Sequence, residues 1–99
     1  MGLMAFILGV PVTLVIVETN YDSPIDQALW DELVERSIPC MTERDVVWKR
    51  TYLSRDRKRS ICHLEAADAE TVRMAYQKGN VPYDQIWSAE LVEELSAKV

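Results

Sequence analysis

The stretch Val46-Val47-Trp48-Lys49-Arg50-Thr51-Tyr52-Leu53-Ser54, followed by Arg55-Asp56-Arg57-Lys58-Arg59 and Ser60-Ile61-Cys62-His63-Leu64-Glu65-Ala66, decides how this chain folds. Its two outer segments are rich in β-branched and aromatic residues, and the segment between them is a charged turn. The spacing predicts a β-hairpin. Working outward, the β-branched run at residues 12–19 is long enough for one buried strand, covered on both faces. Asn20-Tyr21-Asp22 makes a turn, and Ser23-Pro24 reads as the N-cap and first position of a helix that Pro39 should end. Ile25, Ala28, Leu29 and Leu33 are spaced to share its apolar face.

Beyond the hairpin, Asp68 is a good N-cap with Glu70 and Thr71 in the first turn. Val72, Ala75 and Tyr76 form the apolar stripe of a second helix, which Gly79-Asn80 and Pro82 should stop. Residues 85–91 then alternate as a last strand. The order is β-α-β-β-α-β. It predicts an α+β, ferredoxin-like fold, a four-stranded antiparallel sheet with two helices on one face. The second face must be polar, bind a ligand or pair with another subunit. The expected organisation is an apolar extension at residues 1–11 and one domain at 12–99.

The totals narrow the function classes. Ninety-nine residues with 48% hydrophobic and 27% charged content fit one globular domain. A net charge of −5 argues against nucleic acid as the main partner, although six of the eleven Lys and Arg residues lie between Lys49 and Arg59. That basic run reads as a solvated hairpin tip. The apolar start has no basic n-region, is short for a membrane span and contains Pro11, so no membrane association is expected. Cys40 and Cys62 form no C-x-x-C pair, and Cys62 reads as a buried free thiol. Nothing demands an oxidising compartment, and a cytoplasmic protein is expected.

Alternation along the hairpin separates two faces. Cys62, Leu64 and Ala66 suit the helix-covered side, which sends Ile61, His63 and Glu65 to the open one. If Ser54 pairs with Arg59, then Tyr52 faces Ile61, Arg50 faces His63 and Trp48 faces Glu65. The open face then holds Trp48, Arg50, Tyr52, His63 and Glu65, with Glu18 joining them if its phase matches.

His63 and Glu65 offer an imidazole and a carboxylate to one divalent metal, such as nickel, zinc or iron. Two ligands are too few for tight binding, so Glu18, another acid or a second subunit must help. Arg50 and Tyr52 are the candidate contacts for a small ligand. The structural alternative is an Arg50–Glu65 ion pair with His63 hydrogen-bonded nearby at a dimer interface. An enzymatic reading makes His63 or Glu65 a general base and Arg50 an anion stabiliser. No residue is assigned as catalytic. G-x-S-x-G, G-x-G-x-x-G and phosphate-loop patterns are absent.

The hairpin resembles a small uncharacterised-domain family that includes an actinobacterial nickel-responsive, nickel-binding protein. Members carry a strand like W-x-R-S-Y-x-S-x-D, then C-x-x-E-A-P, then a helix and a Leu-Pro turn. Trp48, Arg50, Tyr52, Ser54 and Asp56 match the first pattern, and Cys62, Glu65 and Ala66 the second. Val81-Pro82 stands where the family has Leu-Pro, and Val15-Ile16-Val17-Glu18 resembles its opening strand. Thr51 replaces Ser, Ala67 replaces Pro, and His63 takes a position more often aromatic. The resemblance implies a ferredoxin-like homodimer and, in at least one member, nickel binding. It carries over no ligand residue by residue.

The resulting expectation is a small dimeric binding protein, with nickel or another divalent metal as its cofactor and a second copy, or a higher homo-oligomer, as its partner. A dimeric α+β barrel enzyme, of monooxygenase or isomerase type and acting on a small organic anion, is one alternative. A structural or interaction module is the other.

Overall fold

The computed structural model of the chain describes residues 6–7 and 10–93. Its elements run β1 (Phe6–Ile7), β2 (Val10–Pro11), β3 (Thr13–Asn20), α1 (Gln27–Glu43), β4 (Val47–Leu53), β5 (Arg59–Ala66), α2 (Ala69–Lys78) and β6 (Gln85–Ala89). β1 and β2 pair with each other, in the stretch expected to be an extension. The tail expected at residues 92–99 lies mostly outside the described residues. The other four strands form one antiparallel sheet in the order β4-β5-β3-β6, which is the ferredoxin-like arrangement.

Strand phase decides what is buried. Val15 and Val17 of β3, Leu64 and Ala66 of β5 and Ile86 of β6 point to the helix side, where Val72 and Tyr76 of α2 cover them. α2 forms as its sequence dictates. The Asp68 carboxylate accepts from the Thr71 amide at 2.8 Å and from the Thr71 hydroxyl at 2.6 Å. Those two bonds hold the Asp68 carboxyl below the usual carboxylate range. At its other end the left-handed residue is Asn80, with φ 55°, rather than the glycine. Gly79 is required for a different reason. A β-carbon there would stand 2.9 Å from the Arg36 carbonyl oxygen, so a side chain would push α2 off α1.

α1 departs from its sequence reading at both ends. Its N-cap is Asp26, which accepts from the Leu29 amide at 2.8 Å, so Ser23-Pro24 belongs to the preceding loop. Ile25 is buried, but ahead of the helix, where its amide donates to the Arg57 carbonyl at 2.8 Å. Ala28 and Leu29 are exposed, and the buried helical side chains are Leu33 and Ser37. Pro39 does not end the helix, which continues to Glu43. Proline forfeits only its own amide bond and crowds one carbonyl. The Ser37 and Thr42 hydroxyls, each at 2.8 Å, give the Val34 and Ile38 carbonyls on either side an added donor.

Candidate functional site

The open face of the sheet is a grid fixed by strand register. One row across β4, β5, β3 and β6 is Tyr52, Ile61, Glu18 and Gln85. The next is Arg50, His63, Ile16 and Trp87, and the third is Val47, Glu65, Leu14 and Ala89. The expected pairings of Tyr52 with Ile61 and Arg50 with His63 hold, as does the Ser54–Arg59 closure, whose amide–carbonyl bond is 2.8 Å.

The turn explains that closure. Arg57 adopts φ 63° and donates its amide to the Ser54 carbonyl at 2.9 Å. Asp56 accepts from the Ser54 hydroxyl at 2.7 Å and the Lys58 amide at 3.0 Å, which lowers its own pKa.

Trp48 does not belong to the open face. The register shifts between Trp48 and Arg50, so Val47 stands opposite Glu65 and Trp48 opposite Leu64. Lys49 is the extra residue of a β-bulge, and one extra residue reverses the phase of everything before it. Trp48 therefore turns to the helix side, where its indole Nε1 donates to the Thr51 hydroxyl at 2.8 Å. Thr51 in turn donates to the Cys62 sulfur at 3.1 Å. Burial pushes the Cys62 thiol up, against the opposing hydrogen bonds from Thr51 and Tyr76, so it stays a neutral thiol rather than a nucleophile.

On the open face Glu18 is already engaged. Trp87 Nε1 donates to one carboxylate oxygen at 2.9 Å, and Arg59 reaches the other at 3.4 Å. Sequence reading missed this pair because it depends on β3 lying beside β6. The phase of the last strand was its only visible signal. The basic run is likewise less free than a solvated tip. Arg57 Nε donates to the Ile25 carbonyl at 2.6 Å, and Arg59 is held by Glu18.

Arg50, Tyr52, His63 and Glu65 do share the open face. No Arg50–Glu65 ion pair forms among the described residues, because Arg50 lies opposite His63 rather than opposite Glu65. His63 and Glu65 are half-buried, two residues apart on β5, and their side chains make no hydrogen bond to a described residue. Glu18 sits beside Ile61, diagonal to His63. Among the described residues, no three His, Cys, Asp or Glu side chains come together as a metal site. The surround is apolar: Leu14, Ile16 and Ile61 are half-buried, Trp87 and Val47 are exposed, and Tyr52 is 64% exposed.

A sequence profile of the family described as nickel responsive protein SCO4226-like matches residues 15–88. The chain belongs to this family. The match spans the whole open-face grid except Leu14 and Ala89. The crystal structure of SCO4226 from Streptomyces coelicolor A3(2) superposes with a TM-score of 0.71, covering 81% of this chain and 99% of that one. Identity over that superposition is 12%, so the likeness is one of fold. A search among curated proteins gave no match.

No helix among the described residues is long and apolar enough to cross a membrane. The enzymatic alternative calls for an enclosed pocket on the open face. The one cavity described in this chain lies instead on the other side, between α1 and the sheet.

Proposed function

We propose that this chain is a small dimeric binding protein that takes a divalent cation, nickel by family, between two copies joined through their open sheet faces. One observation carries this reading. Among the described residues, His63 and Glu65 stand without partners on a half-buried apolar face, and no three-ligand cluster assembles. Polar groups at such a place need partners once they are covered. A second copy brings another His63 and Glu65, and the imidazole–carboxylate set then suits nickel. The family's description as nickel responsive supports the choice of metal.

Glu18 belongs to the rim of the site, since Trp87 and Arg59 hold it in the free chain. Arg50 and Tyr52 flank the metal position. A guanidinium repels a cation, so both suit an anionic or carbonyl group of a bound ligand rather than the metal itself. Both cysteines are free thiols, which fits the reducing cytoplasm and forms part of the same reading.

Nickel titration calorimetry and light-scattering molar mass, on wild type, His63→Ala and Glu65→Ala, test the proposal together. The expected result is a wild-type dimer that binds nickel and variants that lose it. Unchanged binding in His63→Ala, or no binding in wild type, removes the site. A wild-type monomer removes the shared geometry.

A further inference from the structure

Between α1 and the sheet lies a half-open cavity of about 60 Å³. It exists because α1 is held off the strands. The helix has 17 residues yet buries only Leu33 and Ser37, and Trp30, Val34 and Met41 edge the gap instead of filling it. Trp30 and Met41 line it from α1, Trp48 and Thr51 from β4, Cys62 from β5 and Tyr76 from α2. None of its described lining residues is charged.

Most polar groups in its wall are internally satisfied. Trp48 donates to Thr51 and Thr51 to Cys62, while the Tyr21 hydroxyl bonds Ser60 at 2.8 Å. Tyr76 is the most weakly satisfied. Its residue is 6% exposed, its hydroxyl makes no hydrogen bond to a described oxygen or nitrogen, and it donates instead to the Cys62 sulfur, a weak acceptor that a better one can replace. Burial, with the Cys62 thiol beside it, pushes the Tyr76 hydroxyl far above its ordinary range, so it stays protonated and offers a proton to an acceptor.

We infer that this cavity is a second binding site, for a small neutral heteroaromatic molecule whose ring lies against Trp30 and Trp48 and whose acceptor atom accepts a hydrogen bond from the Tyr76 hydroxyl. The walls supply aromatic and aliphatic contact with one directed polar group, the usual make-up of a small-molecule pocket. An ionised ligand would meet no opposite charge there, which disfavours it. The size is consistent with one ring seated in part. A closed apolar cavity of ~150 Å³ holds benzene whole. This smaller one is half-open, and Trp48 in its wall is 49% exposed, which leaves room for the edge of a ring to protrude. The site is independent of the nickel reading, because it lies on the opposite face of the sheet.

Pyridine is the probe, with benzene as the ring lacking an acceptor and N-methylpyridinium as the charged ring. Amide chemical shifts and tryptophan fluorescence report binding. Pyridine should bind with a dissociation constant on the order of 1 mM, as expected of so few atoms, with shifts centred on Leu33, Ser37, Thr51 and Tyr76. Tyr76→Phe should weaken pyridine about fivefold and leave benzene unchanged. Ser37→Leu fills the cavity from α1 and should abolish both, whereas His63→Ala should leave both intact. Shifts centred on Ile16, Arg50 and His63, or full binding in Ser37→Leu, would overturn the site. N-methylpyridinium binding as tightly as pyridine would overturn the neutral ligand, and an unaffected Tyr76→Phe would overturn the acceptor contact.

Discussion

The two faces of the sheet are made by the same strands and solve opposite problems. On the covered face, Val15, Val17, Leu64 and Ala66 are fully buried. On the open face, Leu14, Ile16, His63 and Glu65, one step along the same strands, are only half-buried, and Tyr52 is largely exposed. The difference teaches where fold and function separate. Residues of the first face are chosen for volume and lack of polarity. Those of the second mix aromatic, cationic, anionic and imidazole groups that a stable single chain does not need. Substitutions on the first face should register as stability, and those on the second as association and ligand binding.

The largest effect should come from Leu64→Ala. Removing a fully buried leucine leaves a cavity, and the expected loss is about 3 kcal/mol in denaturant unfolding. A loss below about 1 kcal/mol would mean that the covered face is not the principal core. Ile16→Glu places a charge at the centre of the open-face grid. Self-association measured by sedimentation should weaken at least ~10-fold, equivalent to about 1.4 kcal/mol, with secondary structure retained. Should the chain unfold instead, the open face would be part of the monomer's core and the contrast would collapse.

Asp68→Ala removes the N-cap that seats α2 over the covered face, at a cost of about 1 kcal/mol. The pH dependence has a definite sign. The folded-state pKa of Asp68 is lowered, so its contribution is present above the unfolded carboxylate value and is lost as pH falls through the folded one. Acid titration of stability should therefore be shallower in Asp68→Ala than in wild type below about pH 4. Tyr52→Ala should change monomer stability least, within about 0.5 kcal/mol, because its side chain is largely in solvent. A larger loss in dilute protein would show the open face closing on itself.

Much of this contrast was legible in residue order. Alternation in Cys62-His63-Leu64-Glu65 assigns both faces correctly, because one buried face per strand imposes a period of two, whereas the β-branched run at Val15-Ile16-Val17 reads as covered on both faces and is buried on one. Asp68 announced α2, and the family resemblance drawn from the hairpin agrees with the profile match over residues 15–88. The start of α1 was less legible, since Ser23 and Asp26 are both good caps and local chemistry does not rank them. Pro39 misled because its penalty is finite and the turns on either side of it persist. The Trp87–Glu18 bond and the cavity under α1 depend on which elements become neighbours in space, and no local pattern encodes that. Trp48 was misplaced by a single unpaired residue.

That residue, Lys49, also bears on how copies of this chain are kept from pairing by their edges. β4 is an edge strand of the sheet, and its outer backbone groups could template another strand. A bulge there bends and twists the edge, and a lysine on it sets a charge where an incoming strand would lie. Stacking edge to edge into an open-ended ribbon is thereby discouraged at this border. In the dimer proposed above, the copies meet through the open face rather than this border, and closure would stop growth at two.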